Sequence, residues 1–327
     1  MRPTIASVTP LHAVEGGRIT LRGSGFPVDG IPEVTVGGQR ALVAFASSSR
    51  LVITVPPDVE PGAAAIRIED LPGSTAYVSV GGSWATGLHQ VDNPVFDGEG
   101  NLLVTYSGSR GQESPVSIFR VTPSGTREPF VSGIVNATSM AIGPDGQLYV
   151  SSRFEGAVYR VSTEGKHELI ASELGVACGL AFDRDGALYV GDRSGTIFRV
   201  RDNRAEPFAT LPPSVAAFHL AISPTGELFA SGPTLSTYDH VYRIGSDGKV
   251  RSVLATFGRP QGLAFSPGEG VLHVVDSLAG RSGLYRLADL DGEPELLVAG
   301  CGFIGVAFGQ SGEMAVASND TTYRFDS

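Results

Sequence analysis

Apolar and polar residues alternate along this chain in short runs bounded by Gly, Pro, Asp and Asn, the period-two pattern of strands. Over the larger part of the chain one such pattern recurs. The run Leu180-Ala181-Phe182-Asp183-Arg184-Asp185-Gly186-Ala187-Leu188-Tyr189-Val190 has counterparts at Met140–Val150, Leu220–Ala230, Leu263–Val274, Val306–Val316 and, more weakly, Pro94–Val104. The turn glycines Gly100, Gly146, Gly186, Gly226, Gly270 and Gly312 follow one another at 46, 40, 40, 44 and 42 residues. That is the period of a four-stranded propeller blade, so residues 82–327 are predicted to form a six-bladed β-propeller. In the third copy, Gly179–Phe182 is the expected innermost strand, Ala187–Gly191 the second, Thr196–Val200 the third and Glu206–Thr210 the outer edge. Each third strand carries an aromatic residue (Thr322-Tyr323-Arg324-Phe325 in the last copy) followed by Arg120, Arg160, Arg199, Arg243, Arg286 or Arg324. Strand alternation turns the aromatic toward the core between blades and the arginine outward to the surface.

Residues 1–81 do not share the repeat. Seven short strands are expected there, at Thr4–Val8, Arg18–Arg22, Glu33–Val36, Gln39–Phe45, Leu51–Val55, Ala63–Ile68 and Ala76–Val80, which predicts a β-sandwich. The fold class is therefore all-β, a sandwich followed by a propeller. The last repeat reaches Asp326-Ser327 after its third strand. Ser83-Trp84-Ala85-Thr86-Gly87 resembles the outer strands Pro207–Thr210 and Leu297–Gly300, and is expected to close the ring as the missing outer strand of the sixth blade. Only Gly81 and Gly82 separate it from the sandwich, a reach of about 7 Å. The sandwich should therefore abut the rim near the first and sixth blades, with Val78, Val80 or Trp84 in the contact.

Composition narrows the classes of function. Gly (43) and Pro (21) are abundant and only 18% of residues are charged, as a turn-rich all-β chain requires. The net charge is −10 and no Lys/Arg cluster stands out in the sequence, so no nucleic-acid partner is expected. No stretch approaches the length of a membrane span. The start of the chain lacks an apolar leader core, which predicts a cytoplasmic protein as written, or an extracytoplasmic one if a leader has been trimmed. Cys178 and Cys301 fall in the third and sixth repeats, opposite each other in a ring of six and too far apart for a disulfide. Both are expected to be free, buried thiols.

Two resemblances follow from particular residues. Pro3-Thr4-Ile5, Thr9-Pro10, Glu15-Gly16-Gly17-Arg18-Ile19-Thr20-Leu21-Arg22-Gly23-Ser24-Gly25-Phe26, Val34-Thr35-Val36-Gly37-Gly38 and Val55-Pro56-Pro57 together resemble a TIG (IPT) domain. The resemblance implies an immunoglobulin-like module that acts as a spacer or contact surface. The repeated Gly-Leu-Ala-Phe-x-x-x-Gly-x-Leu-Tyr-Val resembles NHL-repeat and gluconolactonase-like propellers. Their metal-dependent lactonases and phosphotriesterases bind a divalent cation on the axis, through Glu, Asn and Asp at the starts of the innermost strands. The matching positions here are Asp92, Thr138, Cys178, Phe218, Gln261 and Ile304. Only Asp92 resembles the family's Glu and Gln261 adds an amide oxygen, and one carboxylate with one amide is too few for a tight Ca²⁺ or Mg²⁺ site, so no metal or other cofactor is expected.

The remaining candidates border the same end of the axis. Asp192 and Asp276 follow second strands, where turn capping is the bland role for an aspartate. Tyr106, Arg153, Arg193, Tyr238, Asp239 and His240 lie between blade strands, and Asn93, Arg259, His219 and Phe303 at the inner-strand entrances. His219 stands where other copies have Gly, Ser or Asn. It is either a satisfied structural histidine or a general base, and His89 is placed to bond across the mouth near Asp92. No His-x-His, Gly-x-Ser-x-Gly or phosphate-loop motif occurs. Asp97-x-Glu99-x-Asn101 and Asp183-x-Asp185 sit at the repeated hairpin and read as turn chemistry rather than calcium loops.

The reading these residues favour is a non-catalytic protein that binds a small molecule, glycan or protein at the propeller mouth. The rival is a lactonase-like hydrolase built on Asp92 with Asp192, Asp276 and His219. A third is a structural module of a larger assembly.

Overall fold

The computed structural model describes residues 4–69, 71, 74–253 and 257–325; Pro3 of the opening motif and Asp326–Ser327 lie outside them. The described residues contain strands and turns but no helix.

Six four-stranded antiparallel blades surround one axis. The first is Val95–Phe96, Leu102–Thr105, Ile118–Val121 and Arg127–Val131, from the axis outward. The third is Ala177–Phe182, Leu188–Asp192, Thr196–Arg201 and Arg204–Thr210, as the repeat predicts. In the sixth, Phe303–Phe308, Met314–Ser318 and Thr322–Arg324 are completed by Gly82–Ala85, whose Ala85 and Ser83 pair with Thr322 and Tyr323. Closure therefore comes from the strand before the first blade, as expected.

The repeated letters have clear physical roles. All six turn glycines have positive φ, between 63° and 94°, where an L side chain is strained. The second strands place Val104, Val150, Val190, Ala230, Val274 and Val316 at full burial between blades. Outward arginines find carboxylates on the neighbouring strand or turn: Arg120 with Asp97, Arg160 with Asp145, Arg199 with Glu206, Arg243 with Glu227 and Arg286 with Glu269. Arg324 instead lies over the Trp84 ring, 5.6 Å from its centroid. These are the self-neutralised sides of the blades, each pair worth about 0–1 kcal/mol.

The seven sandwich strands occur where the pattern places them, around a core of Ile19, Leu21, Val34, Val36, Leu51, Ile53 and Ile66. Phe26 folds back into that core. Gly23 makes this possible, because a Cβ there would lie 2.0 Å from the Thr4 carbonyl oxygen and 2.7 Å from the Phe26 ring.

Docking departs from expectation. An eighth strand, His12–Ala13, pairs in parallel with Ser79 and Val80 on one side and with Val298 and Ala299 on the other. Val298 and Ala299 belong to the outer strand of the fifth blade, Glu295–Ala299, so sandwich and blade form one continuous 12-stranded sheet. The contact lies at the fifth and sixth blades rather than the first and sixth. The short linker limits distance but not direction, and the backbone groups of His12 and Ala13 select the one outer edge left unpaired beside them. Val78 and Val80 lie in the sandwich core cluster that also takes in Ala299 of the fifth blade, with Val80 paired to Ala13, and Trp84 packs between the first and sixth blades. Cys178 and Cys301 are both free, but Cys301 is exposed rather than buried. It lies on the loop between the fifth and sixth blades, where its thiol faces the Gly16 carbonyl of the sandwich at 3.1 Å.

Candidate functional site

The six starts of the innermost strands converge at one end of the axis, and the side chains there are mostly satisfied by one another. Asp92 precedes the first blade and His219 opens the fourth, so the two meet across the ring. His219 Nδ1 donates to Asp92 Oδ1 at 2.5 Å, and its Nε2 lies 3.3 Å from Gln261 Oε1 on the fifth blade. Asp92 Oδ1 also accepts the Asn93 backbone N–H at 2.7 Å. Both residues are buried, Asp92 3% exposed and His219 0%. An N–H on each ring nitrogen, or a Gln261 amide turned to donate, satisfies the chain of three. Asn93 extends the bridge by donating to the Leu263 carbonyl and accepting from Val306 N–H, both at 2.9 Å. Polar side chains of the first, fourth and fifth blades thus span the axis below the mouth.

The other ring positions hold no comparable donors. Thr138 Oγ1 donates to the Asn136 carbonyl at 2.8 Å, and the Cys178 thiol to Val176 at 3.2 Å. Burial pushes the Cys178 thiol up to about 12. Phe218 and Phe303 are fully buried in cores between blades, and Ile304 is half-buried. A tight site for a hard cation needs several convergent oxygens. Among the described residues no group of three or more His, Cys, Asp or Glu side chains is placed to hold a metal ion. The donor set does not fit the axial cation that the fold resemblance implies.

The remaining aspartates cap loops. Asp192 accepts Val176 N–H at 2.7 Å and the Ser194 hydroxyl. Asp276 accepts the N–H groups of Gly258, Arg259 and Leu278 at 2.9–3.0 Å. Asp239 closes its own loop by accepting the Thr234 N–H and hydroxyl, which presents Tyr238 to solvent, while His240 Nδ1 is buried without a partner. Asp97 and Asp183 each accept two N–H groups of their own hairpin, the turn role expected of them.

Around the rim, Arg193 and Arg259 are exposed and Arg153 is half-buried. Burial holds the Arg153 guanidinium below its ordinary range, a pull that nearby Cys178 opposes and the charges of Arg110 and Arg193 reinforce. His89 meets Tyr106 edge-on, with ring centroids 6.1 Å apart, rather than bonding across the mouth. Its imidazole is held low by burial and then by Arg153. Arg110 and Asn136 carry no repeat signal, because they occupy connections whose lengths differ from blade to blade. The long stretch between Thr105 and Ile118 is the one clue to Arg110 in the sequence.

Below Asp92 and Asn93 the axis holds a cavity of about 380 Å³. Leu180, Leu220 and Leu263 wall it, and it runs toward Pro267 and Gln310 at the hairpin turns. The buried bridge therefore separates this apolar channel from the mouth.

Residues 3–83 match the IPT/TIG domain, and residues 179–200 match the family described as strictosidine synthase-like, N-terminal. No curated protein matches the sequence. Among solved structures, an auxiliary nutrient binding protein from Bacteroides ovatus aligns over 100% of this chain and 98% of its own, with 12% identity and a TM-score of 0.57. A gluconolactonase from Xanthomonas campestris aligns over 75% of this chain and 89% of its own, with 15% identity and a TM-score of 0.61. Virginiamycin B lyase from Staphylococcus aureus aligns over 95% and 99%, with 13% identity and a TM-score of 0.53. Likeness at these identities is one of fold. The chain is thus similar to an IPT/TIG domain over residues 3–83 and, beyond it, to six-bladed propellers of the gluconolactonase kind.

Proposed function

We propose that the propeller binds a small molecule, glycan or protein at its mouth without hydrolysing it, and that the IPT/TIG-like domain serves as a spacer or docking module. One observation carries this reading. Asp92, the single carboxylate in the ring, is already engaged by His219 and Asn93, and the other five positions supply no second carboxylate. A carboxylate free to move a proton and a cation to polarise a lactone carbonyl both need groups this ring lacks, while its Cys178 thiol is buried and pushed up to about 12 and its Thr138 hydroxyl is bonded to the Asn136 carbonyl. The full-length likeness to a protein described as nutrient binding supports the same reading.

Metal analysis of the purified protein, with lactone hydrolysis assays on wild type and Asp92→Asn, tests it. The expected result is no stoichiometric divalent ion and no turnover, alongside ligand-induced stabilisation in a thermal-shift screen. Turnover that depends on a bound ion, with both lost in Asp92→Asn, would establish the lactonase-like alternative instead.

A further inference from the structure

We infer that the sector of the mouth over the first three blades is a site for small ligands carrying carboxylate, phosphate or sulfate oxyanions, centred on Arg153 and flanked by Arg110 and Arg193. This rests on the mouth being the ligand-binding face.

The three arginines occupy equivalent connections, each following the second strand of its blade: Leu102–Thr105, Leu148–Ser152 and Leu188–Asp192. Hydrogen bonds to Asn136 bring the Arg110 loop and the Arg153 turn together, and Arg193 holds the place of Arg153 on the adjacent third blade, so the three arginines share one sector of the mouth. Among the described residues none of them has a carboxylate within ion-pair distance. The arginines on the blade sides are neutralised in that way. The nearest carboxylate along the chain, Asp192, is buried and engaged by Val176 N–H and the Ser194 hydroxyl, so it forms no ion pair with these cations.

This cluster is held in place by buried groups. Asn136, 1% exposed and at φ 51°, donates through its side-chain amide to the carbonyls of Ser107 and Ser109 and accepts Gly111 N–H at 2.7 Å. Its own carbonyl accepts the Arg153 N–H at 3.4 Å. One buried residue in a strained backbone conformation thereby fixes the loop bearing Arg110 against the turn bearing Arg153. The Arg193 N–H bonds the Val176 carbonyl, and Asp192 holds the Val176 N–H, which seats the third arginine. Ser107 adds a fully buried hydroxyl with no partner in the same loop.

Phe154, 53% exposed, follows Arg153 and packs on Gly111, where a Cβ would come within 2.9 Å of its ring. It offers an apolar shoulder for the carbon skeleton of a ligand whose charges meet the arginines. Planar guanidinium forks match oxyanions in pairs, and three of them select for more than one negative charge.

Calorimetric titration with citrate, inorganic phosphate and trigalacturonate, each beside the neutral cellotriose, tests the site and separates carboxylate from phosphate ligands. At least one anion is expected to bind, more weakly as salt rises. Arg153→Gln should reduce affinity about tenfold to a hundredfold, while Arg243→Gln on the blade side leaves it unchanged. The exposed pair Arg110→Gln/Arg193→Gln gives a second readout should the half-buried Arg153 be needed for folding. The inference is overturned if no anion binds at millimolar concentration, or if binding is indifferent to all three arginines. Equal binding of cellotriose would overturn it as well, leaving the mouth a ligand site with no preference for anions. Lactone turnover with no ligand bound at rest would instead defeat the reading on which the inference rests.

Discussion

Replacing Gly17 with Ala would set a methyl group 2.4 Å from the Ala299 carbonyl oxygen, 2.7 Å from its carbon and 2.9 Å from the Val14 oxygen. All three neighbours are backbone, so no side chain can swing away. Ala299 is pinned by pairing with Gly283 and Ala13 and by accepting Val14 N–H at 2.9 Å. Gly17 is pinned in turn, donating to Val14 at 3.0 Å and accepting from Val55 at 2.9 Å. Relief requires the sandwich to part from the fifth blade. Overpacking of this kind costs about 1–3 kcal/mol, and each junction hydrogen bond lost adds about 0.5–1.5 kcal/mol. With one or two such bonds broken, Gly17→Ala should destabilise the junction by about 1.5–6 kcal/mol. Hydrogen exchange followed by mass spectrometry reads the effect directly: amides of residues 12–17 and 295–299 should lose protection, and thermal unfolding should split into two transitions. Gly30→Ala is the matched control, since a Cβ there meets nothing within 4 Å. Unchanged exchange and a single unshifted transition in Gly17→Ala would refute the claim that the domains are locked through this edge.

Three other outcomes follow from the structure. Asp92→Ala strips the buried His219 ring of its acceptor and should cost about 1–3 kcal/mol in denaturant unfolding. Adding His219→Leu should recover part of that loss, and strict additivity in the double-mutant cycle would deny the coupling. At about pH 8 one thiol of the native protein, Cys301, should react with a disulfide reagent, and two in denaturant, because the buried Cys178 thiol is pushed up to about 12 and stays protonated; two fast-reacting thiols in the native state would contradict its burial. His273 is held below its ordinary value of 6.5 by burial, so the unfolded chain takes up a proton that the native state resists. Stability should therefore be full above about pH 6.5 and decline as the pH falls below it, with a shallower decline in His273→Phe when melting temperatures are compared.

The blades were legible because each copy needs the same backbone event at the same place. Gly226 and its five equivalents mark the hairpins, and Trp84 betrays the closing strand by its likeness to outer strands elsewhere. His12–Ala13 was invisible for the opposite reason. Two residues carry no period, and their role as a strand exists only because Val298 lies beside them. The ring positions could be aligned from the repeat, which exposed the shortage of metal ligands. What alignment could not give was direction: Phe218 and Phe303 turn into the cores between blades, and Asp92 spends its carboxylate on a histidine 127 positions away. Arg110 and Asn136 escaped notice because irregular connections have no counterpart to compare with, and these are the places where the copies are free to differ.

The closing strand also gives the protein an internal reporter. Trp84 is the chain's single tryptophan, and it sits in the seam that joins the two ends of the ring. Its indole N–H donates to the Thr122 carbonyl at 3.0 Å, with Arg324 covering its face. During synthesis this strand is made before any blade, and its partner Thr322–Arg324 follows only after nearly the whole propeller. The first blade can cover one side of the indole early, but the sixth-blade side, with Arg324 over the ring face, is supplied only when the circle is complete. The last step in the blue shift of tryptophan emission on refolding would time that closure, while Tyr189, between the third and fourth blades, and Tyr285, between the fourth and fifth, report the joining of those neighbours.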